Sequence, residues 1–262
     1  VIIGGGLFQV PAIKTAKSMG LKVAVTDYNP DAEGMQLADF PIVVSTRNIN
    51  LTVNTIKEFH QTCPLDGVMT VGTDASQTVA AVADALALPG IPFEVVERAT
   101  DKIKMRRCLR EHKVPIPDFR PIWSLEEAEA ALKDLPLPLV IKPCDNMGAR
   151  GVKKILLPED LISAFQEAKE ASISGKLILE EFMQGPELSL DALVFDGRIE
   201  ITGFADRHIE RATYFVEVGH TLPSNLPPAR QEAVANVFRQ AIQALGVNLG
   251  AAKGDIKLTS EG

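Results

Sequence analysis

Short apolar runs alternate with amphipathic stretches over the first 95 residues. Residues 1–3 read as a buried strand running into three glycines, "VIIGGGLFQV". Pro11 suits the first turn of a helix that reaches Met19 and stops at Gly20. "LKVAVTD" is a second strand ending at Asp27, "FPIVVS" a third, and "DGVMTVGTD" a fourth, with helices at 51–61 and 75–86 between and after them. Strands alternating with helices predict a parallel sheet with helices on both faces. This unit ends near "LPGIPFEVVERAT".

A different rhythm follows. Residues 101–112 form a basic helix and "VPIPDFRP" an extended, proline-punctuated segment. Ser124 and Glu127 make a capping-box pattern ahead of a helix at 125–133. "LPLVIKP" is a strand, "CDNMGARG" a flexible loop, "VKKILL" a strand, and 158–171 a helix. "KLILEEFM" opens a strand-rich stretch in which "ELSLDALVFDGRIEITGFA" alternates around Asp196-Gly197 and reads as a hairpin. "TYFVEVG" is a further strand, "PPARQEAVANVFRQAIQAL" a long helix, and "GAAKGDIKLTSEG" a strand entering a turn.

The 262 residues are 46% hydrophobic, ample for a sizeable core, and carry a net charge of −7. An acidic surface argues against nucleic acid or an anionic membrane as main partner, so any phosphate site must be a local basic cluster. No apolar run reaches membrane-spanning length. Cys63, Cys108 and Cys144 lie far apart, with neither metal-ligand spacing nor a disulfide framework, which points to the cytoplasm. A start without methionine and an abrupt end suggest a piece of a longer protein.

Gly4 and Gly6 fit the first two positions of a dinucleotide-binding turn, and Asp27 stands where an acid holds a ribose; Gln9 occupies the third glycine's place. Three readings stay open: a tight strand-to-helix turn, a turn that touches substrate, or a site for a nicotinamide cofactor in an oxidoreductase. The P-loop pattern is absent, and "ADRH" has the kinase letters in the wrong order. Phosphate-facing features gather instead in the second half. Lys142 ends the buried strand "LVIKP" beside a loop carrying Asn146, Gly148, Arg150 and Gly151, whose glycines free the backbone to close over phosphates. Lys102 opens the basic helix. Each also has a bland reading, as a solvated lysine or an ordinary hairpin loop.

Taken together and in this order, "DKIKMRRCLREHKVPIPDF", "PLVIKPCDNMGARGVKKI", "LILEEFMQGPELSLDAL" and "GAAKGDIKL" resemble the four blocks of the ATP-grasp superfamily. The resemblance implies an α/β chain with a Rossmann-like domain at 1–95 and a two-lobed α+β ATP-grasp domain. Its small lobe would span 96–175 and its large lobe 176–262, incomplete at the C-terminal end. It implies that Lys102 and Lys142 pair with ATP phosphates, with Gly148 and Gly151 in the lid and Arg150 supplying charge to the transferring phosphoryl group. Glu180 would accept the adenine amino group, the backbone of Glu181 and Met183 would read the purine edge, and Glu187 would bind ribose. Asp255 would hold Mg2+ or Mn2+. A second metal-ligand motif would lie past Gly262, so the chain as it stands is expected to be an impaired enzyme. Arg207, His208, Glu217 and His220 would line an acceptor pocket like that of carbamoyl-phosphate synthase-like and amino-acid ligases, with His220 on substrate or a phosphoryl group. The implied activity is ADP-forming carboxylate–amine ligation on small molecules. The competing classes are an NAD(P)-binding oxidoreductase and a noncatalytic nucleotide-binding module. Neither the acid and its nucleophile nor the oligomeric state is legible, and a homo-oligomer is compatible with the chain.

Overall fold

Two units divide the chain, Val1–Glu97 and Arg98–Gly262. The computed structural model describes residues 1–146, 148–210 and 214–260. Met147 of the expected glycine-rich loop, residues 211–213 ahead of and including the start of "TYFVEVG", and residues 261–262 of the closing turn lie outside the described residues.

The first unit runs β1 (Ile2–Ile3), α1 (Val10–Ser18), β2 (Ala24–Asp27), α2 (Glu33–Leu37), β3 (Phe40–Val43), α3 (Ile49–Thr62) and α4 (Ser76–Leu86), with α5 (Phe93–Thr100) crossing its end. The strands form a parallel sheet in the order β1-β2-β3, as the alternating pattern predicts. Ile2, Ile13, Val25 and Met35 are buried together, each worth roughly 1.5–3 kcal/mol over exposure. The expected fourth strand shrinks to one bridge, Met69 beside Ile2. Met69 donates to the Val1 carbonyl at 3.0 Å and accepts from the Ile3 N–H at 2.9 Å. Gly72, at φ +59°, then turns the chain out of extended conformation.

The glycine turn is filled by the protein's own groups. Gly4 sits at φ +100°, and a Cβ there would lie 3.3 Å from the buried Gln9 side chain. The Gln9 amide donates to the Val71 carbonyl. Gly5, whose N–H a pyrophosphate would need, donates instead to Asp27 Oδ2 at 2.9 Å, while Asp27 Oδ1 accepts from Asn29 N–H. Asp27 therefore closes the turn from within.

The second unit contains α6 (Lys102–Glu111), β4 (Phe119–Ile122), α7 (Leu125–Ala131), β5 (Leu139–Pro143), β6 (Lys153–Ile155), α8 (Leu161–Ala171), β7 (Leu177–Glu181), β8 (Glu187–Phe195), β9 (Arg198–Glu210), β10 (Val216–Thr221), α9 (Pro228–Leu245) and β11 (Leu249–Lys257). Two antiparallel sheets result, in the orders β4-β7-β5-β6 and β10-β9-β8-β11. The expected lobe boundary at 175/176 therefore falls one strand early, because β7 pairs with β4 and β5. Burial explains the pairing: Leu177, Ile178 and Leu179 are all buried, which suits a central strand covered on both faces. Leu139, Ile141, Ile155, Leu161 and Ala164 complete that core.

Leu188, Leu190, Ala192 and Val194 alternate into the second core, under Val234, Phe238 and Ile242 of α9. Asp196 and Gly197, at φ +49° and +75°, form the tight turn between β8 and β9. Pairing runs from Phe195 opposite Arg198 to Ala192 opposite Ile201, then skips Thr202, so that Asp191 faces Gly203 and Glu187 faces Arg207. This is a one-residue bulge. Pro228 starts α9 and Gly246, at φ +83°, ends it. Among the described residues, no helix is long and apolar enough to cross a membrane.

Candidate functional site

Two elements, β5 and α6, bring cations to one buried carboxylate on β7. Glu180 lies on β7 opposite Val140 of β5, so Lys142, two residues along β5, is its diagonal neighbour on the same face. Lys142 Nζ donates to Glu180 Oε2 at 2.5 Å. From α6, Arg106 Nε donates to Glu180 Oε1 at 2.7 Å, with its NH2 3.5 Å from Oε2. Glu180 is 2% exposed, against 25% for Lys142 and 17% for Arg106. Burial alone would raise the Glu180 carboxyl; Lys142 and then Arg106 outweigh it and hold the group at about 2, down from 4.5.

That shift ties the cluster to folding. A carboxyl depressed in the folded state contributes stability above its unfolded value of 4.5, and loses it as pH falls toward 2. The full shift corresponds to roughly 3 kcal/mol. Urea unfolding between these pH values should show Glu180→Gln flattening the acid-side loss of stability; an unchanged slope would separate the cluster from the stability of the fold.

Lys102 stands one helical turn before Arg106 on α6, behind the Asp101 cap, whose carboxylate accepts from the N–H groups of Ile103 and Lys104 at 2.9 and 3.0 Å. Its ammonium donates to a carbonyl, that of Asn146, at 2.7 Å. Burial first, and then the charge of Lys142, lower its pKa. Buried Cys144 lies nearby, its thiol pushed up to about 12 mainly by burial.

The glycine-rich loop is fastened at its two ends. The Asn146 amide donates to the Ala171 carbonyl at 3.0 Å, and Asp145 accepts from Ser172 Oγ at 3.0 Å. Gly151, at φ +71°, packs so closely that a Cβ would come within 2.5 Å of the Ala171 side chain. Between these anchors Gly148, at φ +68°, has open space around it, and Arg150 is exposed.

The second sheet builds an acidic cluster around Arg207. Its NH1 reaches Glu187 Oε1 at 2.5 Å and Asp255 Oδ2 at 3.2 Å, and its Nε donates to Glu217 Oε2 at 2.6 Å. Burial opposes the charge of this guanidinium, but Asp255, Glu217 and Glu187 hold its pKa above the ordinary arginine value. Lys253 Nζ lies 2.6 Å from Asp255, and Lys257 Nζ 3.4 Å from Glu187. His220 pairs across the ladder with Arg207, with its Nδ1 3.9 Å from Glu217. His208, the next residue along β9, points away from this cluster to the Thr221 hydroxyl at 2.7 Å. Of the four residues expected around an acceptor pocket, Arg207, Glu217 and His220 thus come together and His208 does not.

The segment joining the two sheets carries the expected purine edge. The Glu181 N–H is already given to the Asp118 carbonyl at 2.9 Å, whereas the Met183 backbone makes no hydrogen bond among the described residues. Between them Phe182 lies under two ammonium groups, Lys154 at 3.6 Å and Lys257 at 4.8 Å from the ring centroid. Burial, and then Lys257, lower the pKa of Lys154. Arg106, Lys154, Phe182 and Lys257 were not singled out from the sequence. The spacing from Lys102 to Arg106 (i, i+4) and from Asp255 to Lys257 (i, i+2) is the signal that places two of them.

Magnesium takes one or two carboxylates together with phosphate oxygens. Asp255 fits that role: its carboxylate is partly exposed and already faces cations, from Lys253 and Arg207. Among the described residues, no group of three His, Cys, Asp or Glu side chains could hold a metal by itself.

Comparison with known proteins finds two family domains along the chain. Residues 135–262, which include Lys142, Glu180, Glu187 and Asp255, match the ATP-grasp domain, and residues 13–90 match the ATP-grasp N-terminal domain. A D-alanine–D-alanine ligase of Cupriavidus metallidurans is 28% identical over 172 residues, covering 63% of this chain and 51% of that one. The L-amino acid ligase of Bacillus licheniformis shares the fold at a TM-score of 0.84 and 24% identity, covering 99% of this chain and 63% of that one. The biotin carboxylase domain of the Hydrogenobacter thermophilus 2-oxoglutarate carboxylase, solved with MgADP, ADP and bicarbonate, superposes with a TM-score of 0.82 at 18% identity, covering 100% of this chain and 61% of that one. The chain spans about half or less of the length of the curated relatives it matches. With both family domains in order along the sequence, the chain is an ATP-grasp domain protein.

Proposed function

We propose that this chain forms the nucleotide-binding part of a ligase that activates a carboxylate as an acyl phosphate, releasing ADP, and transfers the acyl group to an amine or another nucleophile. The surplus of cation around Glu180 carries this reading. Lys142 and Arg106 share one buried carboxylate, and Lys102, half-buried within reach of the Lys142 charge, has its ammonium bonded to a carbonyl oxygen. Desolvated positive charge without a matching negative charge is unfavourable until an anion arrives, and a polyphosphate supplies it.

In this reading Lys102 and Lys142 take the phosphates from two sides. Glu187 takes ribose hydroxyls in exchange for Arg207 and Lys257. Of the purine edge, the Met183 N–H is the available donor, because the Glu181 N–H is already used. Glu180 serves first as counter-ion to Lys142 and Arg106; the adenine amino group would have to share that carboxylate. A carboxylate oxygen of the substrate attacks the γ-phosphorus, the bond to the bridging β–γ oxygen breaks, and ADP leaves. The nucleophile then attacks the acyl carbon, the C–O bond to phosphate breaks, and an amine loses its proton. Arg150, on the exposed part of the loop, adds positive charge as phosphorus transfers. Magnesium held by Asp255 and phosphate oxygens would supply further charge neutralisation. Closure of the loop at 148–151 would exclude water from the acyl phosphate. His220, paired with Glu217, faces the acceptor.

Incubating the full-length protein with Mg-ATP, hydroxylamine and a panel of carboxylic acids tests the reading. ADP release that depends on one acid, with hydroxamate formed in step, is the expected result. AMP and pyrophosphate as products, or ADP release indifferent to every acid, would overturn it.

A further inference from the structure

We propose that Arg106 is a positioning residue that allows Lys142 to leave Glu180 for a phosphate. The inference rests on the reading of Lys142 as a phosphate-binding lysine.

The ammonium of Lys142 is held at 2.5 Å by Glu180 Oε2, so it cannot serve an incoming anion fully without loosening that bond. Glu180 is 2% exposed, and water cannot take the place of the departing cation. A buried carboxylate left without a partner is strongly unfavourable. Arg106 resolves the conflict. Its Nε already holds Oε1 at 2.7 Å, and its NH2 waits 3.5 Å from Oε2, the oxygen that Lys142 would vacate. A small rotation of the guanidinium turns one good bond into a two-pronged pair, a geometry that arginine offers and lysine does not. Lys102 offers no such second prong: its ammonium is directed to the Asn146 carbonyl at 2.7 Å. Helix α6 thus carries one phosphate-facing lysine and, one turn later, the cation that releases the other.

Mg-ATP affinity, measured by calorimetry on the full-length protein, tests this without relying on turnover. Lys142→Met should weaken binding by about tenfold or more through loss of a charge-assisted contact. Arg106→Met should weaken it by a similar factor with Lys142 still present. Removing the charge that needs guarding should cancel the effect, so Arg106→Met/Glu180→Gln should bind Mg-ATP within about threefold of Glu180→Gln alone. This pair also covers an Arg106→Met variant too unstable to study, since it leaves no unpaired buried carboxylate. Arg106→Lys should recover only part of the affinity, lacking the second prong.

A structural role alone would lower the melting temperature of Arg106→Met yet leave its affinity at the wild-type value, or leave the Glu180→Gln background unable to restore it; either result overturns the proposal. Weakening by Lys142→Met alongside an unaffected Arg106→Met would sink this inference and spare the reading of Lys142. Wild-type protein that does not bind Mg-ATP, or Lys142→Met with unchanged affinity, would sink that reading itself.

Discussion

Lys142→Met is expected to cut the proposed ATP-dependent activity of the full-length protein by about 10²–10³-fold, the usual cost of losing one donor aimed at developing charge. Methionine keeps the length and apolar stem of lysine, so β5 keeps its packing between β6 and β7. The fold is protected in a second way, since Arg106 still pairs with Glu180 when Lys142 is gone. Steady-state ADP release, compared with the circular dichroism melt of the same sample, separates chemistry from stability. A rate within threefold of wild type would show that Lys142 is only a strand-end cation and would return the phosphate site to the glycine turn or elsewhere.

The largest loss of stability is expected at Gly185, in the turn that leads from β7 into β8. Its φ is +143°, a region that side chains rarely enter, and a Cβ there would run into the Leu258 carbonyl just past β11. Leu258 N–H is bonded to the Pro186 carbonyl at 3.1 Å, so the neighbouring backbone cannot move aside without losing that bond. Gly185→Ala combines backbone strain with a backbone collision and should cost about 3–4 kcal/mol. For a unit of this size that is a fall of roughly 10 °C in melting temperature. Gly148→Ala is the control: its φ is also positive, but a Cβ there meets open space. Equal melting temperatures for the two variants would show that the collision is relieved cheaply.

Much of this architecture is legible because it is local. Burial on alternate positions exposes β8, the Asp196-Gly197 turn exposes its hairpin, and Pro228 and Gly246 mark both ends of α9. Lys102 and Lys142 are legible as helix- and strand-end cations, the second beside a glycine-rich loop. What escapes depends on residues far apart in sequence. Arg106 meets Glu180 across 74 positions, and no periodicity within α6 points to that partner. The assignment of β7 to the wrong lobe has the same origin, because its continuous burial is satisfied by β4 and β5 and not by the strands that follow it. Phe182 looks like an ordinary core residue until Lys154 and Lys257, from different sheets, are seen over its ring. The fourth strand of the first unit is overread for the opposite reason: "VMTVG" has strand composition, but Gly72 breaks the run after a single bridge.

The bulge at Thr202 decides which charge stands across from Glu187. Were β8 and β9 paired from the turn without it, every partner beyond Ala192 would shift by one, and Glu187 would face Asp206 in place of Arg207. Two carboxylates would then oppose each other on one face, and the guanidinium, turned to the other, would be lost to Glu217 and Asp255 as well. A single unpaired residue, five positions before Arg207 on the strand, thus converts a repulsive pairing into the attractive one on which the whole acidic cluster depends.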